Sequence, residues 1–556
     1  MESKNAYLMS VLKQTPRLLG LQDRNVMSKT YGCFDRQYWH YNICDTPAAR
    51  CQESCLTLLL LYLIDNELNV YRKNNNILAY SRAAIEFWKK IQNKNGSFNE
   101  WYPNESSFVA SAFTLYAVTE YFLLVKKFLD DESYPEEEII KTAEFLINKD
   151  EGRVLNQQSG AAIALYNVYL LTGKTKYKEA SEEKIEFICR NQKGEGWFDE
   201  YGGPDIGYLS LMIDYLSKYF QKNPLKDLAD VINKAVDFIS YFLFPDFSAG
   251  GIFSSRNTEY LIPHGFEIIS GKNARASAIK EFIRKAIKDE RMVSLYNFDD
   301  RYLSYIAYTY LQAYLEEESF LNASHLPYEE IFDEYFDDCG IKVYSNRHYY
   351  LITNLKKGGT FKAVFKSNEK SLIDSGIMGI DKNGEAFSSG VLNNDFKCIE
   401  SSGKIETSGK CRMLKSNTMS PEKNIALRIF QLTAGRSERV GLFMKEKLRD
   451  KLITSYNDSS ISFNREISTE ENFLIVRDEV SNPENIGILF LADKSSDIYV
   501  PSSRYFINGD LSINPITIES DLLMSNLSVS KRSVVVRKYD FKGDLVKFAV
   551  NGKEII

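Results

Sequence analysis

The chain has 556 residues, enough for two or three domains at roughly 100–200 residues each. Lys plus Arg total 69 against 75 Asp plus Glu, and the net charge of −6 gives no basic surplus to track a nucleic-acid backbone, so no nucleic-acid partner is expected. A hydrophobic share of 44% with 26% charged residues excludes wholesale disorder, and 35 Tyr and 34 Phe supply flat rings, many with a polar handle, that suit sugar stacking as well as a core.

The N-terminal stretch MESKNAYLMSVLKQTPRLLGLQDRN mixes charged and apolar residues without a continuous apolar region or a small-residue cleavage site, so a cytoplasmic location is expected. The longest apolar run, Cys55 to Ile64, falls well short of the roughly 20 residues that a spanning helix needs, and no transmembrane segment is expected. Cys33, Cys44, Cys51 and Cys55 lack paired CxxC spacing, and His40, His264, His325 and His348 are scattered, so the sequence implies neither a disulfide scaffold nor a metal site, and no cofactor.

From about 47 to 316 the apolar pattern is helical. Ser159 to Thr172 closes on Gly173, and the next helix starts at Lys174, which makes an antiparallel hairpin. Phe108 to Leu124 is apolar on more than one face, whereas Lys174 to Arg190 and Ala274 to Lys288 are amphipathic; inner and outer helices of a layered toroid alternate in this way. An internal repeat agrees with it: GSFNEWYP at Gly96 to Pro103 recurs 100 residues later as GWFDEYGG, pairing Glu100 with Glu200 and Trp101 with Tyr201. A looser third copy runs from Ser248 to Glu267. After about 340 the period changes to two, with strands at Thr360–Lys366, Phe473–Val480, Ile486–Leu491, Ser533–Asp540 and Leu545–Val550. The expected fold is therefore an N-terminal (α/α) toroid of helical hairpins over 1–320, a linker over 321–339, and an antiparallel β-sandwich over 340–556 with a helical insertion near 420–454. The basic stretch 436–451 suits either a solvated helix face or a peripheral contact with anionic lipid or a partner.

The segments NQQSGAAIALYNVYLLTG, GWFDEYGGPDIGYLSLMIDYL and RNTEYLIPHGF, in a toroid followed by a sandwich, resemble the heparinase II/III-like proteins, a group that contains polysaccharide lyases. The resemblance covers roughly 30 to 550. It implies that Asn156 matches the Asn opening an inner helix, that Tyr208 is the base and acid, and that the substrate is an acidic oligosaccharide or polysaccharide. Gln157 stands where the family carries a His, and Lys356-Lys357-Gly358-Gly359 occupies the place of a His-bearing segment of the sandwich.

Lyase chemistry removes the C5 proton of a uronate and expels the 4-linked oxygen, so it needs a base, a proton donor and a group that offsets the carboxylate charge. Tyr208, with Asn156 and Gln157 hydrogen-bonding the carboxylate and Arg256 as the cation, meets these needs, and His264 is a substitute for the missing general base. Hydrolysis is the alternative, drawing on Glu100, Glu200, Asp199, Asp205 and Glu259 as paired carboxylates. A third reading is a non-catalytic glycan-binding or assembly protein. Substrate contacts are expected from Trp39, His40, Trp101, Trp197, Tyr201, Asn257 and Tyr260 as well as from Gln157, Glu100, Glu200 and Glu259. The loops around Trp101 and Trp197 are expected to open onto one cleft.

Overall fold

A computed structural model describes residues 3–131, 133–319, 321–401, 403–414, 420–437, 440–441, 443–444, 447, 456–492, 511, 515–527 and 532–556. Helices fill the first part. α1 (Asn5–Leu21), the short α2 (Arg36–Trp39), α3 (Ser54–Leu63), α4 (Asn75–Lys90), α5 (Phe108–Leu129), α6 (Glu136–Ile147) and α7 (Leu155–Thr172) are followed by α8 (Thr175–Asn191), α9 (Ile206–Lys222), α10 (Lys226–Ser240), α11 (His264–Ile269), α12 (Ala274–Lys288) and α13 (Asp300–Leu315). The inner helices pack in the cyclic order α3, α5, α7, α9, α11, α13 and back to α3, which closes a ring. Outside it lie α1, α4, α6, α8, α10 and α12, whose polar faces meet water. α5 is long and apolar enough to cross a membrane by length and composition alone, yet 67% of its most apolar window is buried inside the protein.

The repeat seen in the sequence is a packing unit. Gly96 (φ +83) and Gly196 (φ +103) lie in the left-handed region, and a Cβ there would fall 2.1 Å from the Lys141 carbonyl oxygen and 2.3 Å from that of Lys234. Each glycine thus seats the loop after one outer helix against the next outer helix. Around it the Asn93 and Lys193 N–H groups donate to the carbonyls of Ser97 and Trp197, both at 2.9 Å, and Phe98 and Phe198 are buried anchors. The third copy keeps the turn, with Phe244 N–H donating to Ser248 O at 3.0 Å and Phe247 at φ +63 in the place of the glycine.

The second part is antiparallel throughout its paired strands and forms a β-sandwich. One sheet has the order β1 (Phe332–Phe336), β2 (Ile341–Ser345), β3 (Tyr349–Asn354), β4 (Thr360–Phe365), β5 (Ser371–Asp374). The other contains β6 (Met378–Asp381), β7 (Ala386–Ser388), β8 (Lys397–Ser401), β9 (Lys404–Met413), β10 (Asn457–Thr469), β11 (Phe473–Ser481), β12 (Ile486–Leu491), β13 (Ile516–Glu519), β14 (Arg532–Asp540), β15 (Leu545–Val550) and β16 (Lys553–Glu554). β1 lies inside the 321–339 span. Helix α14 (Pro421–Leu432), opened by Ser420 as N-cap, sits between β9 and β10; 436–451 falls largely outside the described residues.

The five-stranded sheet is a middle layer. Tyr350 and Ile352 of β3 and Val364 of β4 belong to the toroid core, whereas their neighbours Tyr349, Leu351, Phe361 and Ala363 join Ile467, Leu474 and Val476 in the sandwich core. Both faces are covered, so every residue of β3 and β4 is buried. A ring of four fully buried charges clamps the sheets together. Arg465 donates to Asp478 (2.6 Å) and Asp374 (2.8 Å), and Arg537 donates to Asp374 (2.7 Å) and Asp478 (2.6 Å). The two guanidinium groups hold the Asp374 carboxyl below its ordinary range against the opposing effect of burial, which is the largest single influence on it. Asp478→Ala leaves two buried guanidinium groups sharing one carboxylate, and it is expected to lower stability by about 3–5 kcal/mol, read as a lower unfolding midpoint in denaturant.

Candidate functional site

Inner helices α5, α9 and α13 begin at one mouth of the toroid, where Ser107, Asp205 and Asp299 cap them through the N–H groups of Ala110, Tyr208 and Tyr302. The positive ends of several helix dipoles therefore face the opening, a setting that favours anions. The loops carrying Glu100–Trp101, Glu200–Tyr201 and Arg256–Asn257 rim the same mouth.

On one side stands a cluster around Tyr208. Glu200 accepts the Asn156 N–H at 3.0 Å, and the Asn156 side chain bonds the same carboxyl. Burial drives the Glu200 carboxyl well above its ordinary range, and its Oε2 is buried without a hydrogen-bond partner. Asp205 fastens the third loop to α9. It accepts from Tyr208 N–H (3.2 Å), Arg256 N–H (3.1 Å) and the Thr258 hydroxyl. The Arg256 guanidinium stacks on the Tyr201 ring at 4.8 Å, and its charge acts to lower the Tyr208 pKa, which burial pushes well above the ordinary phenol value. The Tyr302 oxygen accepts from Tyr260 at 3.4 Å and takes a further side-chain hydrogen bond from Tyr208.

On the other side Trp101 is 58% exposed, under the guanidinium of Arg301 at 4.3 Å. Its backbone N–H and that of Glu100 both donate to the Glu105 carboxylate at 2.8 Å, and Glu100 itself is buried. Arg50 pairs with Glu53 at 2.8 Å and lies 3.9 Å over the Tyr305 ring. Burial raises the Glu53 carboxyl to about 7, against the opposing effect of Arg50. The insertion reaches this rim: Asn104 donates to the Gln431 carbonyl at 3.1 Å, and Arg428 pairs with Asp45 at 3.2 Å.

The remaining expected residues scatter. Trp39 is half-buried and tied by its indole N–H to the Leu21 carbonyl at 2.7 Å, and His40 is exposed beside it. Gln157 sits in the first turn of α7, half-buried. The Asn257 side-chain oxygen accepts from Lys357, whose buried ammonium also donates to Ser254 O at 2.6 Å, so Lys357 fastens the Arg256 loop. Glu259 is half-buried on that loop, two residues before Leu261 enters the core. Trp197 does not reach the mouth. It occupies the turn position of Ser97, is 4% exposed, and donates its indole N–H to Glu195 at 2.8 Å, so it is a core residue of the loop base. His264 is also elsewhere, because its ring meets Glu316, just past the C-terminal end of α13, at 3.0 Å and faces Asp214 at 3.9 Å deep in α9.

Arg50, Glu53, Arg301, Tyr302, Tyr305 and Lys357 were not singled out from the sequence. The tyrosine run Tyr302, Tyr305, Tyr308, Tyr310 on the last inner helix was the signal that could have found two of them.

No protein-family profile and no curated protein matches the chain. Among solved structures it is similar to the chondroitin AC lyase of Streptomyces coelicolor A3 in complex with chondroitin sulphate, with a TM-score of 0.55 and 8% identity, covering 88% of this chain and 68% of that one. A mutant of that enzyme gives a TM-score of 0.50 at 7% identity, with the same coverage of 88% and 68%. Heparinase III covers 98% of this chain and 97% of its own at 11% identity, with a TM-score of 0.42. The chain thus has the helical-toroid-plus-sandwich fold of polysaccharide lyases.

Glu53 gives a direct check on the electrostatics of the mouth. A carboxyl raised to about 7 in the folded state contributes stability that is complete below the unfolded value near 4.5 and is lost as pH rises through about 7. Glu53→Gln is therefore expected to flatten the fall of unfolding free energy between about pH 5 and 7 in parallel denaturant titrations.

Proposed function

We propose that the protein is a polysaccharide lyase that cleaves uronate-containing glycans by β-elimination at the toroid mouth. The observation that carries this reading is Tyr208: a half-buried tyrosine in the first turn of α9, whose phenol feels the Arg256 charge and hydrogen-bonds to Tyr302. The similarity in fold to a chondroitin AC lyase supports the class of reaction.

In this reading the substrate carboxylate lies against Arg256 and the Asn156 amide, so the charge that accumulates when C5 loses its proton is offset. Tyr208 takes that proton as phenolate and returns one to the 4-linked oxygen as it leaves. With His264 bound at the other end of the inner helices, one phenol serves both steps. Glu200, whose carboxyl burial shifts towards the neutral form, bonds Asn156 and fixes the amide. The rival hydrolase reading would use Glu200 as acid, since a carboxyl raised by burial is the usual equipment of that reaction.

Incubation with a uronate polymer separates the two: a lyase yields an ultraviolet-absorbing unsaturated uronate, and a hydrolase yields new reducing ends without it. Tyr208→Phe is expected to lower formation of the unsaturated product by about 100-fold or more while leaving the binding constant within a few-fold of wild type. Because burial holds the phenol protonated at neutral pH, wild-type turnover is expected to rise towards alkaline pH. Unchanged turnover in Tyr208→Phe removes the assignment.

A further inference from the structure

Trp101 and Tyr201 are equivalent positions of the 100-residue repeat, and each carries a guanidinium on its ring, Arg301 at 4.3 Å and Arg256 at 4.8 Å. The two arginines come from different parts of the fold, one from the first turn of α13 and the other from the loop before α11, so the pairing is not a by-product of the repeat. Their electrostatic state is unusual for this protein. The buried Arg284 is paired with three carboxylates, and the buried Arg465 and Arg537 with two each. Among the described residues neither Arg301 nor Arg256 has a carboxylate within ion-pair range, and Arg301 Nη1 and Arg256 Nε are buried without a hydrogen-bond partner. One turn after Arg301, Tyr305 is 4% exposed and its hydroxyl is likewise buried without a partner. Arg50, which covers the Tyr305 ring, is already paired with Glu53, while Glu100 and Asp35 are acids whose fields reach Arg301. A guanidinium held flat on an indole keeps its N–H edge free for an oxyanion in the plane of the fork.

We propose that Arg301, Trp101 and Tyr305 form a second oxyanion site at the mouth, the counterpart of Arg256 on Tyr201, which binds a carboxylate or sulfate ester on a sugar flanking the one held at Arg256. This rests on the reading that the ligand is an acidic glycan, and it narrows that class to polymers with acidic groups on more than one sugar within reach of the cleft. Trp101 supplies the exposed ring face for the sugar, and Arg301 with Tyr305 supplies the donors for its acid group.

Calorimetric binding to the full chain tests it with three probes: a tetrasaccharide alternating glucuronate with an N-acetylated hexosamine, the same tetrasaccharide sulfated on the hexosamine, and neutral cellotetraose. Wild type is expected to prefer an acidic probe, Arg301→Gln to bind it about tenfold or more weakly, and Tyr305→Phe a few-fold more weakly, each with an unfolding midpoint close to that of wild type. A loss confined to the sulfated probe assigns a sulfate ester to the site, and a loss with both acidic probes assigns the carboxylate. Wild-type affinity in Arg301→Gln, or equal binding of cellotetraose and the acidic probes by wild type, overturns the proposal. If Arg301→Gln does not fold, Tyr305→Phe decides, and unchanged affinity in it counts against the site. The readout is independent of turnover: absence of unsaturated product with an intact Arg301 effect removes only the lyase reading, and product formation with no Arg301 effect removes only this site.

Discussion

The contact on which the helical half depends is the approach of a loop backbone to the flank of the next outer helix. At Gly96 and Gly196 there is no room for even one carbon between the turn and a helix carbonyl. That contact fixes the loop on the outside of the ring, the buried Phe98 and Phe198 fix it on the inside, and the acid and the aromatic residue that follow are delivered to the mouth. Glu100 and Glu200 end up buried and Trp101 and Tyr201 face outward because the same short path is traced twice. The site is therefore as rigid as the outer ring that supports it.

Beneath the mouth the ring is filled, and the high tyrosine content is explained there. Lys218 pairs with Asp214 at 2.5 Å and is surrounded by the rings of Tyr116, Tyr215 and Tyr308 at 5.1, 5.5 and 5.3 Å. Tyr215 and Tyr308 share a hydrogen bond at 3.1 Å, and Gln312 donates to Tyr116 at 3.0 Å. Burial lowers the Lys218 pKa against the opposing pull of Asp214, so the cage of ring faces and the partner carboxylate are what allow a charged lysine there. Phenols are well suited to such an axis, since each gives a flat apolar body to the ring wall and a hydroxyl to its neighbour. The plug also separates Tyr208 at the mouth from His264 below it.

The order of helices then strands, the closed helical layer and the repeat could be read from apolar periodicity and from GSFNEWYP against GWFDEYGG. Loop equivalence and the start of inner helices pointed to Asn156, Tyr208 and Arg256 as one cleft, whereas the contact of Asn156 with Glu200 carries no mark in the sequence. Trp197 could not be placed the same way: in the turn it replaces Ser97, whose side chain points to the loop base, and identity of residue type with Trp101 outweighed identity of position. β2 and β3 were not recognised because burial on both faces removes the alternation that marks a half-buried strand, leaving YYLITN as a plain apolar run. His264 follows Arg256 closely in sequence, yet its ring is carried away from the mouth to Glu316 beyond the end of α13.

The middle sheet carries a consequence for how the molecule can be divided. One face of β3 and β4 packs on the helical ring, and Tyr350, Asn354 and Lys357 hydrogen-bond to the backbone at Tyr241, Phe253 and Ser254, on the approach to Arg256. The clamp of Asp374, Asp478, Arg465 and Arg537 joins that sheet to the one behind it, and Arg465 also donates to the Gly359 carbonyl, two residues after Lys357. A continuous line of polar contacts therefore leads from the centre of the sandwich to the rim of the cleft. The sandwich is therefore the buttress of one lip of the cleft, and a change at its centre reaches the loop that carries Arg256.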